Sequence, residues 1–187
     1  MQNHPLLYQP LATSCWVTSM INGIMYLHKG KTLPFMAYKL LHNLLAEDGV
    51  FYYTKKQIQE FEAVIQAVGA CSKLEITYVT DKNVENLVSN LDYTKQVALC
   101  DIASGGHSIL INGFNEGVFE AFDPYWENVS GGESIIEEYQ KHPPYKAGSE
   151  NSVNLRLWPK HLFAPRKGGG FQMGAVSKRF ATVLTMP

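Results

Sequence analysis

The stretch Gly105–Trp126, GGHSILINGFNEGVFEAFDPYW, holds two apolar runs, His107–Phe114 and Val118–Phe122, on either side of Asn115-Glu116-Gly117. Short runs rich in branched and aromatic residues read as strands. A three-residue connection ending in Gly reads as a hairpin whose Gly takes the left-handed position of a bulged turn. A tight hairpin returns the chain to the level at which it set out. The register therefore brings Asp123, just past the second strand, opposite His107, the first residue of the first strand, within a residue or two. An imidazole oriented by a carboxylate is a general base with a fixed tautomer. Gly105 and Gly106, directly before it, let a substrate approach the backbone closely.

Such a base serves a nucleophile, and the chain offers Cys15, Cys71 and Cys100. A thiol attacks well only as thiolate, and a helix N-terminus favours that form because unpaired backbone N–H groups and aligned peptide dipoles face it. Thr13 and Ser14 are N-cap residues, after which Trp16, Val17, Met20, Ile21, Ile24 and Leu27 recur at helical spacing until Gly30. Cys15 thus opens a buried helix, with Trp16 as core packing. Cys71 follows a helix end and Cys100 lies inside the apolar run VALCDIA, so both read as structural. The other histidines, His4, His28, His42, His142 and His161, read as structural or surface residues. Asp101 is the competing acid, but the intervening IASGG provides no register that fixes a contact with His107. Acyl chemistry also needs donors aimed at the developing oxyanion, the loss of one costing about 2.7–4 kcal/mol. Gln9, six positions before Cys15, carries a side-chain amide for that role.

Helices are expected at Pro34–Ala46 and at Lys56–Val68, the latter closed by Gly69. A strand over Leu74–Val79, a helix over Lys82–Leu91 and a strand over Gln96–Ile102 follow. Beyond the hairpin, SGGESIIEEYQKHPPYKAGSENS reads as a surface excursion, and closing strands are expected near Val153–Trp158 and Phe180–Leu184. Helices first and strands later make an α+β chain. One domain over 1–187 is expected, helical to about residue 70 and built on a sheet from about 71.

Gln9, five intervening residues, Ser14-Cys15-Trp16, then His107 and Asp123-Pro124 stand in an order that resembles the papain-like cysteine peptidases, over residues 5 to 126. The resemblance implies a papain-like α+β fold, its N-terminal helical part carrying the nucleophile on a helix packed against a twisted antiparallel sheet. It implies Cys15 as nucleophile, His107 as base and then acid, Asp123 as orienting acid and Gln9 as oxyanion donor. Trp126 would shield the His–Asp pair and Gly106 would border the cleft. No metal or organic cofactor is implied, and the substrate would be a peptide or protein. Ala12-Thr13 stand where the plant and lysosomal branch has Cys-Gly, the acid is Asp rather than Asn, and Cys15 and His107 are closer together than in that branch. The compact pattern is more similar to bacterial members, such as bacteriocin-processing peptidases that cut after double glycine and some secreted effector proteases.

The totals exclude other classes. With 187 residues, 45% hydrophobic and 12% aromatic, the chain can bury a real core and is not an extended disordered protein. Three widely spaced cysteines make neither a disulfide framework nor a CxxC zinc site. No run reaches the roughly 20 apolar residues of a membrane span, and no charged-then-apolar signal peptide opens the chain. A cytoplasmic protein is expected, or one secreted or injected without a classical signal; with only eight residues before Gln9, no propeptide is expected. From Asn151 onward there are six Lys or Arg and no acid, within a net charge of -1. That basic end reads as a solvated face pairing with the acidic body, and nucleic acid is not the expected partner. RKGGGFQMG lacks the GK[ST] ending of a phosphate loop and reads as a flexible glycine loop. Two alternatives stay open: a thioacyl intermediate passed to an amine, or a non-peptide amide hydrolysed; and a binding protein that uses the basic C-terminal region.

Overall fold

The computed structural model describes residues 6, 15–29, 66–102, 107–124, 153, 155–164 and 171–187. Helix α1 spans Cys15–Leu27, and every residue in it except Tyr26 is buried. A helix with no polar face belongs in a core. Gly23 brings it against the sheet: a Cβ there would sit 3.3–3.5 Å from Val97, Leu110 and Leu184. The helix ends where Lys29 turns left-handed (φ 56°) and its N–H bonds the Tyr26 carbonyl at 3.0 Å.

Six strands follow: β1 Glu75–Thr80, β2 Gln96–Ile102, β3 His107–Asn115, β4 Val118–Phe122, β5 Leu155–Leu157 and β6 Phe180–Thr185. They form one open antiparallel sheet in the order β1-β6-β2-β3-β4-β5, so the last strand lies between the first and second. Two short helices, α2 Asn83–Ser89 and α3 Pro159–Leu162, complete the named elements. Strand alternation divides the core between the two faces. Leu99, Leu110, Phe122 and Leu184 pack with α1 on one face. Ala98, Ile109, Ile111, Phe119 and Ala121 pack on the other, with Val84 and Val88 of α2 and Leu162 of α3. The molecule is thus α+β on an open antiparallel sheet, and among the described residues no helix is long and apolar enough to cross a membrane.

The third expected helix does not close at Gly69. Residues 66–72 are helical, and Lys73 takes the left-handed cap (φ 57°), with Leu74 N–H on the Gly69 carbonyl at 2.9 Å and Lys73 N–H on Ala70 at 3.3 Å. Gly69 answers a packing demand instead, because a Cβ there would lie 2.8 Å from the Leu74 carbonyl oxygen. The hairpin connection is corrected as well. Asn115 pairs with Val118, so the turn has two residues, Glu116 (φ 53°) and Gly117 (φ 78°), both left-handed as a type I′ turn requires. The irregularity lies inside β3, where Ile111 pairs with Ala121 and Gly113 with Glu120, leaving Asn112 as a bulge residue. The expected helix Pro34–Ala46, the rest of Lys56–Val68 and the excursion after β4 lie outside the described residues. So do residues 165–170 of the glycine-rich stretch; Phe171 and Met173 beyond them are core residues rather than part of a flexible loop.

Candidate active site

α1 runs along β3 in the same direction. Its Ser19 hydroxyl donates to the Ser108 carbonyl at 3.2 Å, Gly23 lies against Leu110, and Tyr26 shares a cavity wall with Asn112. Eleven helical steps from Cys15 to Tyr26 rise about 16 Å, and five strand steps from His107 to Asn112 advance a similar distance, about 16 Å. The helix therefore brings its first residue, Cys15, level with the start of β3; alternation puts His107 with Ile109 on the face away from α1, and the thiol meets the ring where the strand begins.

Asp123 reaches the same point from β4. Continuing the register Leu110↔Phe122 by one pair sets Asp123 across from Ile109, two residues from His107 on the same strand face. Uniform pairing from the two-residue turn would set Asp123 across from Leu110 and so on the opposite face from His107. The surplus residue at Asn112 corrects this by one position. His107 Nε2 donates to Asp123 Oδ1 at 2.8 Å, the acid being 2% exposed and the imidazole 17%. This leaves Nδ1 for the Cys15 thiol, which is within hydrogen-bonding reach of the ring and is itself 8% exposed. Burial opposes a charge on His107. The Asp123 charge and hydrogen bond, with the contribution of Cys15, outweigh it and push the imidazole from 6.5 up to about 10.

Asp101 accepts its hydrogen bond from Ser108 rather than from His107. It pairs across β2–β3 with Ser108, whose hydroxyl donates to Asp101 Oδ1 at 2.6 Å, and burial pushes its carboxyl from 3.8 up to about 7 against the lowering by that bond and by His107. Cys100 is fully buried and burial pushes its thiol upward, as expected of a core residue, whereas Cys71 is exposed.

No family model, curated protein or solved structure matches the chain. What the site can do is therefore read from its own chemistry.

Of the six residues singled out in the sequence, the structure brings together Cys15, His107 and Asp123. Gln9, Gly106 and Trp126 lie outside the described residues. Sequence reasoning missed Ser19, Ser108 and the Asn112 bulge. The signal for the first was present, since a helix expected to be buried carries Thr18, Ser19 and Asn22 among its apolar residues, and all three are buried. Two cations of the basic end are taken up internally: Arg156 pairs with Glu120 at 3.2 Å, and the buried Arg179 pairs with Glu85 at 2.9 Å. A cavity of about 600 Å³ lies at the far end of α1, lined by Tyr26, Tyr93, Asn112, Phe114 and Glu120 among others, and none of Cys15, His107 or Asp123 borders it. Its walls, among the described residues, hold no thiol or imidazole.

Proposed function

We propose that the chain is a papain-like cysteine peptidase that cleaves a peptide or amide bond through a Cys15 thioacyl-enzyme. One observation supports this above all: a single imidazole held between the carboxylate of Asp123 and a thiol at the first residue of a buried helix. His107, whose cation the Asp123 charge and hydrogen bond favour, stands beside the thiol at the N-terminal end of α1. The thiolate attacks the carbonyl carbon, and His107 Nδ1–H protonates the departing amine. Asp123 meanwhile keeps Nε2–H engaged and the ring in place. Water, deprotonated by the now neutral His107, attacks the thioester and releases the acid, with the proton back on the imidazole. Backbone N–H groups at the tip of α1, with Gln9, hold the oxyanion in both steps.

Limiting iodoacetamide at mildly acid pH, read by peptide mapping, tests the reading within one molecule. Cys71 is exposed and Cys15 is 8% exposed, so two ordinary thiols would label in the order of their exposure. Activation reverses the order in the wild type, and His107→Ala restores it. Wild-type protein that labels at Cys71 first sinks the proposal. Peptide-library digestion with mass spectrometry then identifies the bond cut, and an added amine appearing in the product marks acyl transfer instead of hydrolysis.

A further inference from the structure

We infer that Ser19, Ser108 and Asp101 form a positioning clamp that sets the Cys15 thiol against the His107 imidazole, an assignment that rests on the peptidase reading for its catalytic meaning. Ser19 lies one helical turn beyond Cys15, on the same side of α1. Ser108 is the residue after His107 on β3. The 3.2 Å hydrogen bond from the Ser19 hydroxyl to the Ser108 carbonyl ties the helix turn behind the thiol to the strand residue beside the base, and it is buried. The second half of the clamp lies within the sheet: the Ser108 hydroxyl donates to Asp101 Oδ1 at 2.6 Å, fixing β3 to β2 where the two strands end. Ser19 is fully buried, where a serine has no solvation to gain and an unbonded hydroxyl would be costly. An alanine would fill the same place in an apolar helix, so what the hydroxyl adds is direction. A displacement on the order of 1 Å costs up to about a hundred-fold in a reaction of two positioned groups.

The test compares Ser19→Ala with Ser19→Thr, which keeps the hydroxyl, and with Ile24→Val, a core change on the same helix brought to a matching melting temperature. Two readouts are taken on each folded protein: the ratio of Cys15 to Cys71 alkylation rates, and the His107 titration midpoint by NMR. Ser19→Ala is expected to lower the alkylation ratio by about ten-fold or more and to move the His107 midpoint downward as the thiol's contribution is lost. Ser19→Thr restores both, and Ile24→Val moves neither. Wild-type values of both readouts in Ser19→Ala overturn the clamp. So does an equal loss in Ile24→Val, which would assign the effect to stability alone. The midpoint reports the thiol–imidazole contact whether or not the protein cleaves peptides, so failure of the clamp and failure of the peptidase reading give different results.

Discussion

Replacing Asp123 by Asn tests the charge at the centre of the site while preserving its shape. The amide oxygen can still accept from His107 Nε2 across the 2.8 Å now observed, so the ring keeps its orientation and only the negative charge is removed. The wild-type imidazole stands at about 10, raised chiefly by Asp123 against the opposing effect of burial. A hydrogen-bonded opposite charge shifts a titration by about 1–3 units, so the variant should titrate at about 7–9. At 1.36 kcal/mol per unit this is a loss of about 1.4–4 kcal/mol in favour of the protonated ring. The sign for stability follows from linkage. Because the folded value exceeds the unfolded 6.5, the pair's contribution is fully present below about pH 6.5 and fades as pH rises towards 10. In Asp123→Asn it fades earlier. Two assays read this: the His107 Cε1–H resonance, assigned among the six histidines by its absence in His107→Ala, and, for the proposed cleavage, the alkaline limb of kcat/KM. Both should move down together. A midpoint that stays at the wild-type value would show that Asp123 does not hold the proton on His107, and the role of Asp123 as orienting acid would fall with it.

Deleting Asn112 removes the surplus residue and leaves Ile111 across from Ala121 and Asp123 across from Ile109, so the His107 midpoint should stay high, at some loss of melting temperature; an ordinary midpoint in the folded variant would refute that register. Asp101→Asn keeps an acceptor for Ser108 and relieves a half-buried carboxyl whose folded value, about 7, lies above its unfolded 3.8. The wild-type penalty therefore grows as pH rises from about 4 through 7, and urea denaturation should show the variant gaining stability at pH 8 relative to pH 4.5, by at most about 4 kcal/mol. Gly113→Ala would set a Cβ 2.8 Å from Glu120 Oε2 and 3.1 Å from its Cβ, pushing that side chain off Arg156, and should cost about 1–3 kcal/mol in the same assay. Lys73→Gly relieves a left-handed backbone at a helix cap and should stabilise by about 1 kcal/mol, with no change expected in Cys15 labelling.

Much of the sheet was legible because its strands obey simple patterns. Gln96–Ile102 and Val118–Phe122 match the observed β2 and β4 end to end, since both are short, mostly apolar runs bounded by turn residues. The meeting of His107 with Asp123 was reached by counting through a three-residue connection. The chain arrives at the same pairing with a two-residue turn plus one extra residue in the strand, and the two routes shift the register equally. The turn was obscured because Glu116 gives no left-handed signal, and only Gly117 has the composition expected of a type I′ turn. The bulge was hidden because Asn112-Gly113 looks like an ordinary interruption of a strand. Beside it Gly113 lies against Glu120, which β5 holds through Arg156, a neighbour that only the assembled sheet supplies. In the same way, Ser19 is one polar residue in an apolar helix until β3 is laid beside it.

The place of β6 has a consequence for the order in which the molecule can be made. Strands β2, β3 and β4 are consecutive neighbours and can pair as they leave the ribosome, but β1 touches β2 only through β6, the last strand synthesised among those described. Leu184 of β6 also completes the floor beneath Gly23 of α1. A nascent chain ending before Phe180 therefore has an orphan first strand and an incompletely seated helix, even though the hairpin that carries His107 and Asp123 has already been translated. The floor beneath α1 is thus completed late in biosynthesis, by a residue that lies far from the helix in sequence.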